Sequence, residues 1–482
     1  MRLAKPELFR EAAYLSGAWH PAGEGAFTVH NPSTGAALGK VPGLDAARIQ
    51  ECIRTAEQAF QEYRRLSSKQ RSSILRRWGE LMHSHKEDLA RIMTAEQGKP
   101  LAEARGEIEY AAAYLEWFSE EAKRIYGDTI SAPRTSQRIT IIKQPLGVCS
   151  AITPWNFPSA MVTRKVGPAL AAGCAVILKP AMQCPFSALA LCVLAEEAGL
   201  PRGVLSVLTG DAESIGDALL SSRIVKKLSF TGSTAVGKRL MASAAKTVKR
   251  VSLELGGNAP FIVFDDANLD QVVAGAMASK FRNAGQTCIC ANRFLVHDAV
   301  YDAFVERFTT AVKRLKVGDG FEESSDIGPL IDAKAAAKVS RLVDDAIARG
   351  AHVMCGARPS EAGPLFYEPT VLTKVSNDMA IATEEIFGPV AAIQRFEDEA
   401  DAIAIANATP YGLASYFYTN DLNRSLRVAE ALECGIVGIN EGILSTELAP
   451  FGGTKESGFG KEGSKYGIEE YCEMKYVCVG NV

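Results

Sequence analysis

The sequence of 482 residues has little excess charge of either sign. It contains 53 Lys and Arg against 56 Asp and Glu, a net charge of −3. A chain so close to neutral has no overall field to attract nucleic acid or an anionic membrane surface, so we expect neither as a partner. Long apolar runs are also missing, because the longest, residues 166–178, is broken by Pro168 and Gly173 and is shorter than the roughly 20 residues that span a bilayer. With no signal-peptide core near the N-terminus, we expect a soluble, cytoplasmic protein.

Closely spaced metal-ligand residues are scarce too. The 11 cysteines are an odd number spread thinly, which is typical of buried thiols in a reducing compartment. The chain has no CxxC pair, and the one close pair, Cys288 and Cys290, has no second pair nearby. His83 and His85 lie two residues apart on a predicted helix and therefore point to different faces. We expect no metal site.

Short apolar strands alternate with helices along most of the chain. Helical patterns cover residues 45–66, 69–96 and 101–125, and a polar alternating stretch over 135–144 predicts a strand pair or arm. Strands are then predicted over residues 148–153, 175–179, 204–208, 225–231, 251–255 and 261–264, and near 293–297, 390–396, 415–419 and 435–440. This alternation predicts parallel sheets in two α/β domains. The terminal strand, 468–479, needs a partner, for which the 135–144 arm of another subunit is one candidate.

A phosphate cradle is the first candidate for a functional site. An apolar strand runs into the Gly- and Ser-rich turn around Gly232 and Ser233 and then into a helix, whose N-terminus offers free N–H groups to an anion. A tight turn with no ligand explains the same residues equally well. Lys179 ends another strand, at the sheet edge where ligands bind in α/β folds, although it could be an ordinary surface lysine.

A nucleophile, a base and an amide complete the candidate chemistry. Cys288 follows a predicted helix in a polar loop, where exposure and a lowered pKa could make it reactive. Glu254 lies at an apolar strand end, and burial there should raise its pKa toward that of a general base. Asn156 lies on a rigid turn between two prolines and could donate to an oxyanion. A buried thiol, a salt-bridged glutamate and an aromatic packing corner are the structural alternatives.

Seven motifs, taken together and in order, resemble the aldehyde dehydrogenase superfamily over nearly the whole chain. They are Pro154-Trp155-Asn156-Phe157-Pro158, Lys179-Pro180-Ala181, Phe230-Thr231-Gly232-Ser233, Leu253-Glu254-Leu255-Gly256-Gly257, Gly285-Gln286-Thr287-Cys288, Glu384-Glu385-Ile386-Phe387-Gly388-Pro389 and Pro450-Phe451-Gly452-Gly453. The resemblance implies an α/β fold with two Rossmann-like parallel-sheet domains plus a small β oligomerisation arm. The expected parts are a cofactor-binding domain of residues 1–126 and 146–256, a catalytic domain of residues 257–436, and an arm of residues 127–145 and 467–482. We expect a homodimer or a homotetramer.

The resemblance also implies a mechanism. Cys288 would attack an aldehyde to give a thiohemiacetal, whose oxyanion would be held by the Asn156 side chain and the Cys288 N–H. Hydride would pass to a nicotinamide cofactor, and Glu254 would activate the water that hydrolyses the thioester. Two alternative interpretations are a cofactor-independent thiol esterase and a catalytically inactive member of the fold. The complete set of catalytic and cofactor motifs counts against both.

The resemblance assigns cofactor-binding residues as well. They are Trp155, Lys179, Met182, Gly232, Ser233, Gly237, Glu385 and Phe387. NAD-preferring members often carry a glutamate at the position of Met182, where it binds the ribose hydroxyls, and methionine cannot do this. Because a 2′-phosphate would not be repelled there, we favour NADP or dual use over NAD alone.

Further residues resemble those of succinate-semialdehyde dehydrogenases. In that subgroup two arginines and a serine, which match Arg164, Arg282 and Ser445, grip the distal carboxylate of the substrate. Arginine forks bind carboxylates in a bidentate manner, so the assignment is physically reasonable, unless either arginine pairs with a structural acid. We expect oxidation of succinic semialdehyde, with glutaric semialdehyde second. Cys290 could form a disulfide with Cys288 as a redox switch, or could be a spectator thiol.

Overall fold

The computed structural model describes residues 1–23 and 25–481. The described helices are α1 Ala46–Tyr63, α2 Ser68–Ser84, α3 Lys86–Gln97, α4 Leu101–Glu121, α5 Ala160–Ala172, α6 Pro185–Glu197, α7 Ala212–Ser221, α8 Thr234–Ala245, α9 Leu269–Phe281, α10 Tyr301–Val312, α11 Ala333–Ala348, α12 Ala380–Thr383, α13 Glu399–Asn407, α14 Leu422–Ala431 and α15 Ser464–Glu469. None of the helices in this part of the chain is both long enough and apolar enough to cross a membrane.

The described strands form two large sheets and several small ones. They are β1 Ala12–Leu15, β2 Ala18–Pro21, β3 Phe27–His30, β4 Ala37–Val41, β5 Asp128–Ile130, β6 Gln137–Pro145, β7 Val148–Ile152, β8 Ala175–Lys179, β9 Leu205–Val207, β10 Val225–Thr231, β11 Arg250–Glu254, β12 Ala259–Val263, β13 Ala291–His297, β14 His352–Cys355, β15 Thr370–Thr373, β16 Val390–Phe396, β17 Tyr411–Gly412, β18 Ala414–Tyr418, β19 Ile436–Ile439, β20 Thr454–Lys455, β21 Gly458–Phe459 and β22 Cys472–Gly480.

The first sheet has eight strands in the order β2-β1-β9-β8-β7-β10-β11-β21. Its five central strands, β9 to β11 in that order, are parallel, and antiparallel strands close both edges. The parallel strands are buried on both faces, as their continuous apolar sequences predict. α5 and α6 belong to the largest core, which the N-terminal helices α2 to α4 extend.

The second sheet has seven strands in the order β14-β15-β16-β13-β12-β18-β19. All neighbours are parallel except β14 and β15. β11, next to the edge strand β21 of the first sheet, is joined to β12, inside the second sheet, by residues 255–258. Because β11 ends at this short junction and β12 begins at it, the junction holds the two sheets close together beside the Gly256-Gly257 pair.

The three-stranded antiparallel arm has the order β22-β6-β5. β22 pairs with β6 of the same chain over its whole length, from Cys472 opposite Pro145 to Gly480 opposite Gln137. The terminal strand therefore pairs with the predicted arm, but with the arm of its own chain rather than that of another subunit, which was one candidate. The strand also begins later than predicted, because residues 468 and 469 complete α15.

One predicted helix, over residues 69–96, is two helices in the structure. His85, with φ −111° and ψ 21°, separates α2 from α3. The break changes the direction of the chain, so that α3 packs on α4 and α6 and buries nine of its twelve residues. A helical period alone does not reveal such a break, because the apolar pattern continues on both sides of it.

Candidate active site

The loop that carries Cys288 has an unusual backbone. The turn after α9 passes through the left-handed region, with φ of 52° at Asn283, 54° at Ala284 and 73° at Gly285. Since only glycine adopts this region freely, the two non-glycine residues are strained by about 1–3 kcal/mol each. A Cβ at Gly285 would lie 2.2 Å from the carbonyl oxygen of Gly388, so a larger residue does not fit. Strain of this kind is typical of functional loops.

Cys288 lies where two cavities meet. The first, which we call the Arg282 cavity, has a volume of about 270 Å³ and is lined by Lys99, Glu103, Gly106, Glu107, Tyr110, Phe157, Met161, Arg164, Arg282, Thr287, Cys288, Ile289, Ser445 and Phe451. The second, the Trp155 cleft, has a volume of about 460 Å³ and is lined by Pro154, Trp155, Asn156, Thr231, Gly232, Ser233, Leu255, Gly256, Cys288, Ile331, Asp332, Lys334, Ala335, Lys338, Glu385, Ile386 and Phe387. Two ligands, one in each cavity, would both reach the thiol.

The Cys288 thiol is protonated at neutral pH. Burial raises its pKa to about 12, and the carboxyls of Glu385 and Glu254 act in the same direction, while Arg164 and Arg282 oppose them. The expectation of a lowered pKa was wrong for this state of the protein. The polar residues of the loop are themselves buried and do not solvate a thiolate. Attack by Cys288 therefore requires removal of a proton that the site holds firmly.

Glu254 is the last residue of β11 and is 2% exposed. Neither carboxyl oxygen has a hydrogen-bond partner among the described residues. Burial raises the pKa of Glu254 well above its usual value, and Glu462 adds to the shift, while Arg164 and Lys165 oppose it. The raised pKa predicted for this carboxyl is confirmed. The side chain does not line either cavity, so it lies behind the surface that a ligand would touch.

Asn156 follows β7 and joins Cys288 in the lining of the Trp155 cleft. Its side-chain Nδ2 donates to the carbonyl of Gln286, at 3.0 Å, and its backbone carbonyl accepts from Asn283 Nδ2, also at 3.0 Å. These bonds tie the Asn156 turn to the Cys288 loop. Nδ2 carries two N–H groups, so one remains to donate elsewhere.

Arg164 pairs with a structural acid, as one of our alternatives allowed. Its Nη2 lies 2.8 Å from Glu462 Oε2, and the same carboxylate also pairs with Lys165. The guanidinium packs 4.0 Å from the centre of the Phe451 ring. Arg164 lines the Arg282 cavity, but Glu462, whose single negative charge is shared with Lys165, offsets part of its charge.

Among the cations that line the Arg282 cavity, Arg282 is the one that has no acidic partner among the described residues. It is half-buried, and its guanidinium lies 5.3 Å from the centre of the Phe157 ring. Ser445 lines the same cavity, from a loop after β19. A free guanidinium and a hydroxyl in a cavity that ends at Cys288 suit a ligand with an anionic group at its far end.

Five of the predicted cofactor residues lie together in the Trp155 cleft: Trp155, Gly232, Ser233, Glu385 and Phe387. Ser233 is the N-cap of α8, so the helix begins at the cleft with its positive end toward a ligand. Trp155 and Phe387 pack edge to face at 5.5 Å. Burial raises the pKa of Glu385 to about 7, although this carboxylate accepts a hydrogen bond from Gly257 N–H at 3.0 Å.

Three other predicted cofactor residues, Lys179, Met182 and Gly237, are outside both linings. Burial lowers the pKa of Lys179 to about 8, and no described acid forms an ion pair with it. Met182 is 38% exposed. A Cβ at Gly237 would lie 2.4 Å from a methyl of Leu255, so this glycine lets α8 pack on the end of β11.

Cys290 is 7% exposed, and its Sγ donates to the Lys280 carbonyl at 3.2 Å. It lines neither cavity, and the redox switch stays a prediction. Sequence analysis missed Lys99, Glu107 and Glu462, three charged residues with contacts at the site. Their isolated positions carry no motif, and only the fold brings them together. No described group of three or more His, Cys, Asp or Glu residues is arranged to hold a metal ion.

Comparison with known proteins assigns the fold and site to a family. The family model described as aldehyde dehydrogenase family matches residues 19–477. Glutarate-semialdehyde dehydrogenase of Pseudomonas aeruginosa is 57% identical, with 100% of both chains covered. The NADP(+) succinate-semialdehyde dehydrogenase of Escherichia coli K12 is 58% identical at the same coverage. The crystal structure of succinate-semialdehyde dehydrogenase from Burkholderia pseudomallei gives a TM-score of 0.98 at 55% identity, covering 100% of each chain. This chain belongs to the aldehyde dehydrogenase family.

The expected fold class and enzyme class are thereby confirmed. The α/β architecture with mainly parallel sheets is that of aldehyde dehydrogenases. The enzyme class is that of NAD(P)-dependent aldehyde dehydrogenases, which take an aldehyde as substrate. The domain boundaries, the roles of individual residues and the preferred substrate and cofactor stay predictions.

Proposed function

We propose that this aldehyde dehydrogenase oxidises succinic semialdehyde to succinate with NADP or, less readily, NAD. The observation that carries the proposal is Arg282, which has no acidic partner among the described residues and lines, with Ser445, the cavity that ends at Cys288. An aldehyde at the thiol would place a distal carboxylate toward this guanidinium. The E. coli relative is named for succinate semialdehyde, which has such a carboxylate.

The residues of the chain divide the chemistry among them. Cys288 loses its proton to solvent water and attacks the aldehyde carbon. The oxygen of the resulting thiohemiacetal accepts hydrogen bonds from Asn156 Nδ2 and the Cys288 N–H. A bound nicotinamide cofactor supplies the hydride acceptor. Cys288 then holds the acyl group as a thioester, and Glu254 takes a proton from the attacking water. Hydrolysis releases the carboxylate product and restores the thiol.

The Trp155 cleft fits a nicotinamide dinucleotide. The N-terminus of α8 favours a pyrophosphate, and the buried amine of Lys179, with no described acid paired to it, is suited to a ribose phosphate. Met182 offers no carboxylate to ribose hydroxyls, which removes one source of preference for NAD. The E. coli relative is named for NADP(+). Glu385 would hold the nicotinamide ribose, with Trp155 and Phe387 forming the walls.

Glutaric semialdehyde is the second candidate, and the P. aeruginosa relative is named as a glutarate-semialdehyde dehydrogenase. It carries the same carboxylate on a chain longer by one methylene. One methylene changes binding by only about 1–3 kcal/mol, so the same cavity serves both substrates unless its far wall is too close.

A panel of aldehydes tests the proposal directly. We expect kcat/KM to be highest for succinic semialdehyde, next for glutaric semialdehyde and at least about tenfold lower for butanal, which lacks the carboxylate. Each aldehyde is assayed with NADP and with NAD. Equal kcat/KM for butanal and succinic semialdehyde would contradict the proposed substrate class.

The Cys288→Ala variant tests the nucleophile. We expect no measurable aldehyde oxidation, because no other described thiol lines the two cavities, and unchanged cofactor binding, measured by quenching of tryptophan fluorescence. The Cys290→Ala variant is the matched control and should retain activity. Turnover by Cys288→Ala would contradict the mechanism.

A further inference from the structure

A fully buried ion pair lies next to the Asn156 turn. Lys99 Nζ is 2.6 Å from Glu107 Oε2, and both side chains are 1% exposed. Lys99 follows α3, and Glu107 lies in α4, so the pair belongs to the N-terminal helices rather than to either sheet. The mechanism proposed above uses neither residue. Burying two charges costs free energy unless further hydrogen bonds satisfy both groups.

The Lys99 ammonium makes three contacts. It donates to Glu107 and to the backbone carbonyl of Asn156, the latter at 2.7 Å. It also lies 4.1 Å from the centre of the Phe157 ring, over which a cation is attracted. Lys99 therefore contacts two consecutive residues of the turn, the first through its backbone carbonyl and the second through its ring. The first of them carries the amide that would bind the oxyanion.

Glu107 holds a different element with its other oxygen. Its Oε1 accepts hydrogen bonds from the backbone N–H groups of Ser159, at 2.9 Å, and Ala160, at 3.1 Å. These N–H groups belong to the first turn of α5, whose N-cap residue, Ser159, makes no side-chain cap of its own. A carboxylate at this end of a helix satisfies free N–H groups and complements the helix dipole. Glu107 thus fixes the start of the helix that carries Arg164.

The same short segment also reaches the Cys288 loop. Gln97 Nε2 donates to Asn283 Oδ1 at 2.9 Å, and Gln97 Oε1 accepts from the Lys99 N–H at 2.9 Å. The Asn283 N–H donates to Glu103 at 2.8 Å. Asn283 is one of the residues held in the left-handed region before Cys288. Residues 97–107 therefore connect the turn that carries Asn156 to the loop that carries Cys288.

We propose that Lys99 and Glu107 are positioning residues, which act through Asn156 and α5 to hold the oxyanion-binding amide in line with the Cys288 thiol. The proposal rests on the function proposed above, since it concerns the same reaction. It assigns no contact with the reacting atoms to either residue. A displacement of about 1 Å in such an arrangement can reduce turnover about a hundredfold without any loss of binding.

The opposing interpretation is that the pair only stabilises the fold. Two single variants and their combination separate the interpretations: Lys99→Met, Glu107→Gln and the double variant. Each single change leaves one buried charge without its partner, so both should lower the melting temperature. The double variant removes both charges and should recover much of that loss. A purely structural pair predicts that kcat recovers together with the melting temperature.

The positioning role predicts a different pattern. We expect kcat to fall about ten- to a hundredfold in both single variants and to stay low in the double variant, because Lys99 no longer holds the Asn156 carbonyl. The KM for NADP should change less than kcat does, since residues 97–107 contribute nothing to the lining of the Trp155 cleft and reach it only through the Asn156 turn. Recovery of kcat in the double variant, or a kcat within about threefold of wild type in both single variants, would overturn the proposal.

Lys227 provides a matched control. It is a buried lysine in β10 that pairs with Glu470 at 3.1 Å and lines neither cavity. Lys227→Met should lower the melting temperature with little change in kcat. An equal loss of kcat in Lys227→Met and Lys99→Met would show that any buried lysine matters and would also overturn the proposal.

A measurement that does not depend on turnover distinguishes a failure of this proposal from a failure of the proposed substrate. The rate of Cys288 alkylation by iodoacetamide should rise in Lys99→Met, because the loop that buries the thiol is loosened, and should be unchanged in Lys227→Met. If wild type oxidises other aldehydes but not semialdehydes, the proposed substrate fails, and kcat for the best aldehyde together with alkylation still tests the positioning role. Unchanged alkylation in Lys99→Met together with unchanged kcat would contradict that role alone.

Discussion

The reactivity of Cys288 is set by burial rather than by a nearby positive charge. With its pKa raised to about 12, only a small fraction of the thiol is ionised at neutral pH. Since the thiolate is the reactive form, we expect the rate of iodoacetamide alkylation without cofactor to rise about tenfold per pH unit from about pH 7 to pH 10. Mass spectrometry of the modified peptide measures the rate at Cys288, with Cys288→Ala as the blank. A plateau below about pH 8 would mean that the thiol is already ionised there and would contradict the raised pKa.

Arg164 and Arg282 are equivalent in the sequence motif but differ in the structure. Arg164 shares the carboxylate of Glu462 with Lys165, whereas Arg282 has no acidic partner among the described residues. We expect Arg282→Ala to raise KM for succinic semialdehyde about ten- to a hundredfold and to leave KM for butanal within about threefold. Steady-state kinetics with both aldehydes measure this selectivity.

Arg164→Ala serves as the comparison for that prediction. Its loss leaves Glu462 paired with Lys165 alone and disturbs the carboxyl of Glu254, so activity toward both aldehydes should fall together. A selective loss of succinic semialdehyde oxidation in Arg164→Ala, with none in Arg282→Ala, would reverse the roles that we assign.

Motifs predicted which side chains meet at the thiol, and the position of Glu254 at an apolar strand end predicted its raised pKa. The raised pKa of Cys288 and the acid that pairs with Arg164 were not predicted. Cys288, Asn156, Arg282 and Ser445 reach the two cavities as expected. The ion pair between Arg164 and Glu462 joins residues far apart in the chain, and the burial that raises the pKa of Cys288 depends on the packed fold. Neither property has a local pattern, because each is created by tertiary contacts.

At the level of elements, glycines decide how closely the Cys288 loop can approach the junction of the sheets. A Cβ at Gly257 would lie 2.4 Å from the backbone carbonyl oxygen of Cys288, and backbone cannot move aside cheaply. We expect Gly257→Ala to displace the thiol and to lower kcat by about a hundredfold or more. Activity measurements on the folded variant, with its circular dichroism, provide the check.

Gly216 is the matched control for this substitution. It lies within α7, lines neither cavity, and a Cβ there would meet only a methyl of Leu240, at an ordinary 3.7 Å. Since alanine is a better helix former than glycine by about 1 kcal/mol, Gly216→Ala should fold and raise the melting temperature slightly. Full activity of Gly257→Ala would contradict the close approach that the structure shows.

Regular elements with a strong apolar pattern were predictable. The strands over residues 175–179, 225–231 and 390–396 have the predicted bounds, because buried parallel strands have continuous apolar sequences. The N-terminal strands β1 and β2 and the edge strand β14 were not predicted. All three have only four residues. β2 and β14 are edge strands, whose exposed residues blur the alternation of apolar and polar positions, and β1 is buried but too short to give a clear pattern.

At the scale of the whole molecule, the site exists only because the two sheets meet. The Trp155 cleft takes Gly232 and Ser233 from the turn after β10 of the first sheet, and Glu385 and Phe387 from the loop before β16 of the second. Cys288 precedes β13, near the middle of the second sheet. A change in the angle between the sheets would therefore reshape this cleft and also the Arg282 cavity, which takes Phe157 and Arg164 from the first half of the chain and Cys288 from the second.

The arm is the remaining large-scale feature, and its surface implies a partner. Met474 and Tyr476 lie on one face of β22 and are 71% and 62% exposed, and β22 and β5 are unpaired edges in the single chain. Exposed apolar edge strands are prone to pair with another chain. We expect a homodimer or homotetramer, measured by sedimentation velocity as two or four times the 51.7 kDa chain mass.

Charged substitutions on the arm test where the subunits join. The Met474→Glu, Tyr476→Glu double variant should shift the protein toward monomers, because two carboxylates in an apolar interface would be desolvated without partners. Leu422→Glu makes the same change at a residue of α14 that is 74% exposed and should leave the mass unchanged. A wild-type monomer at micromolar concentration, or dissociation in Leu422→Glu but not in the arm variant, would contradict assembly through this arm.

Because the arm lines neither cavity, the arm variant also reveals whether assembly is needed for turnover. Retained kcat in the monomer would locate the complete active site within one chain.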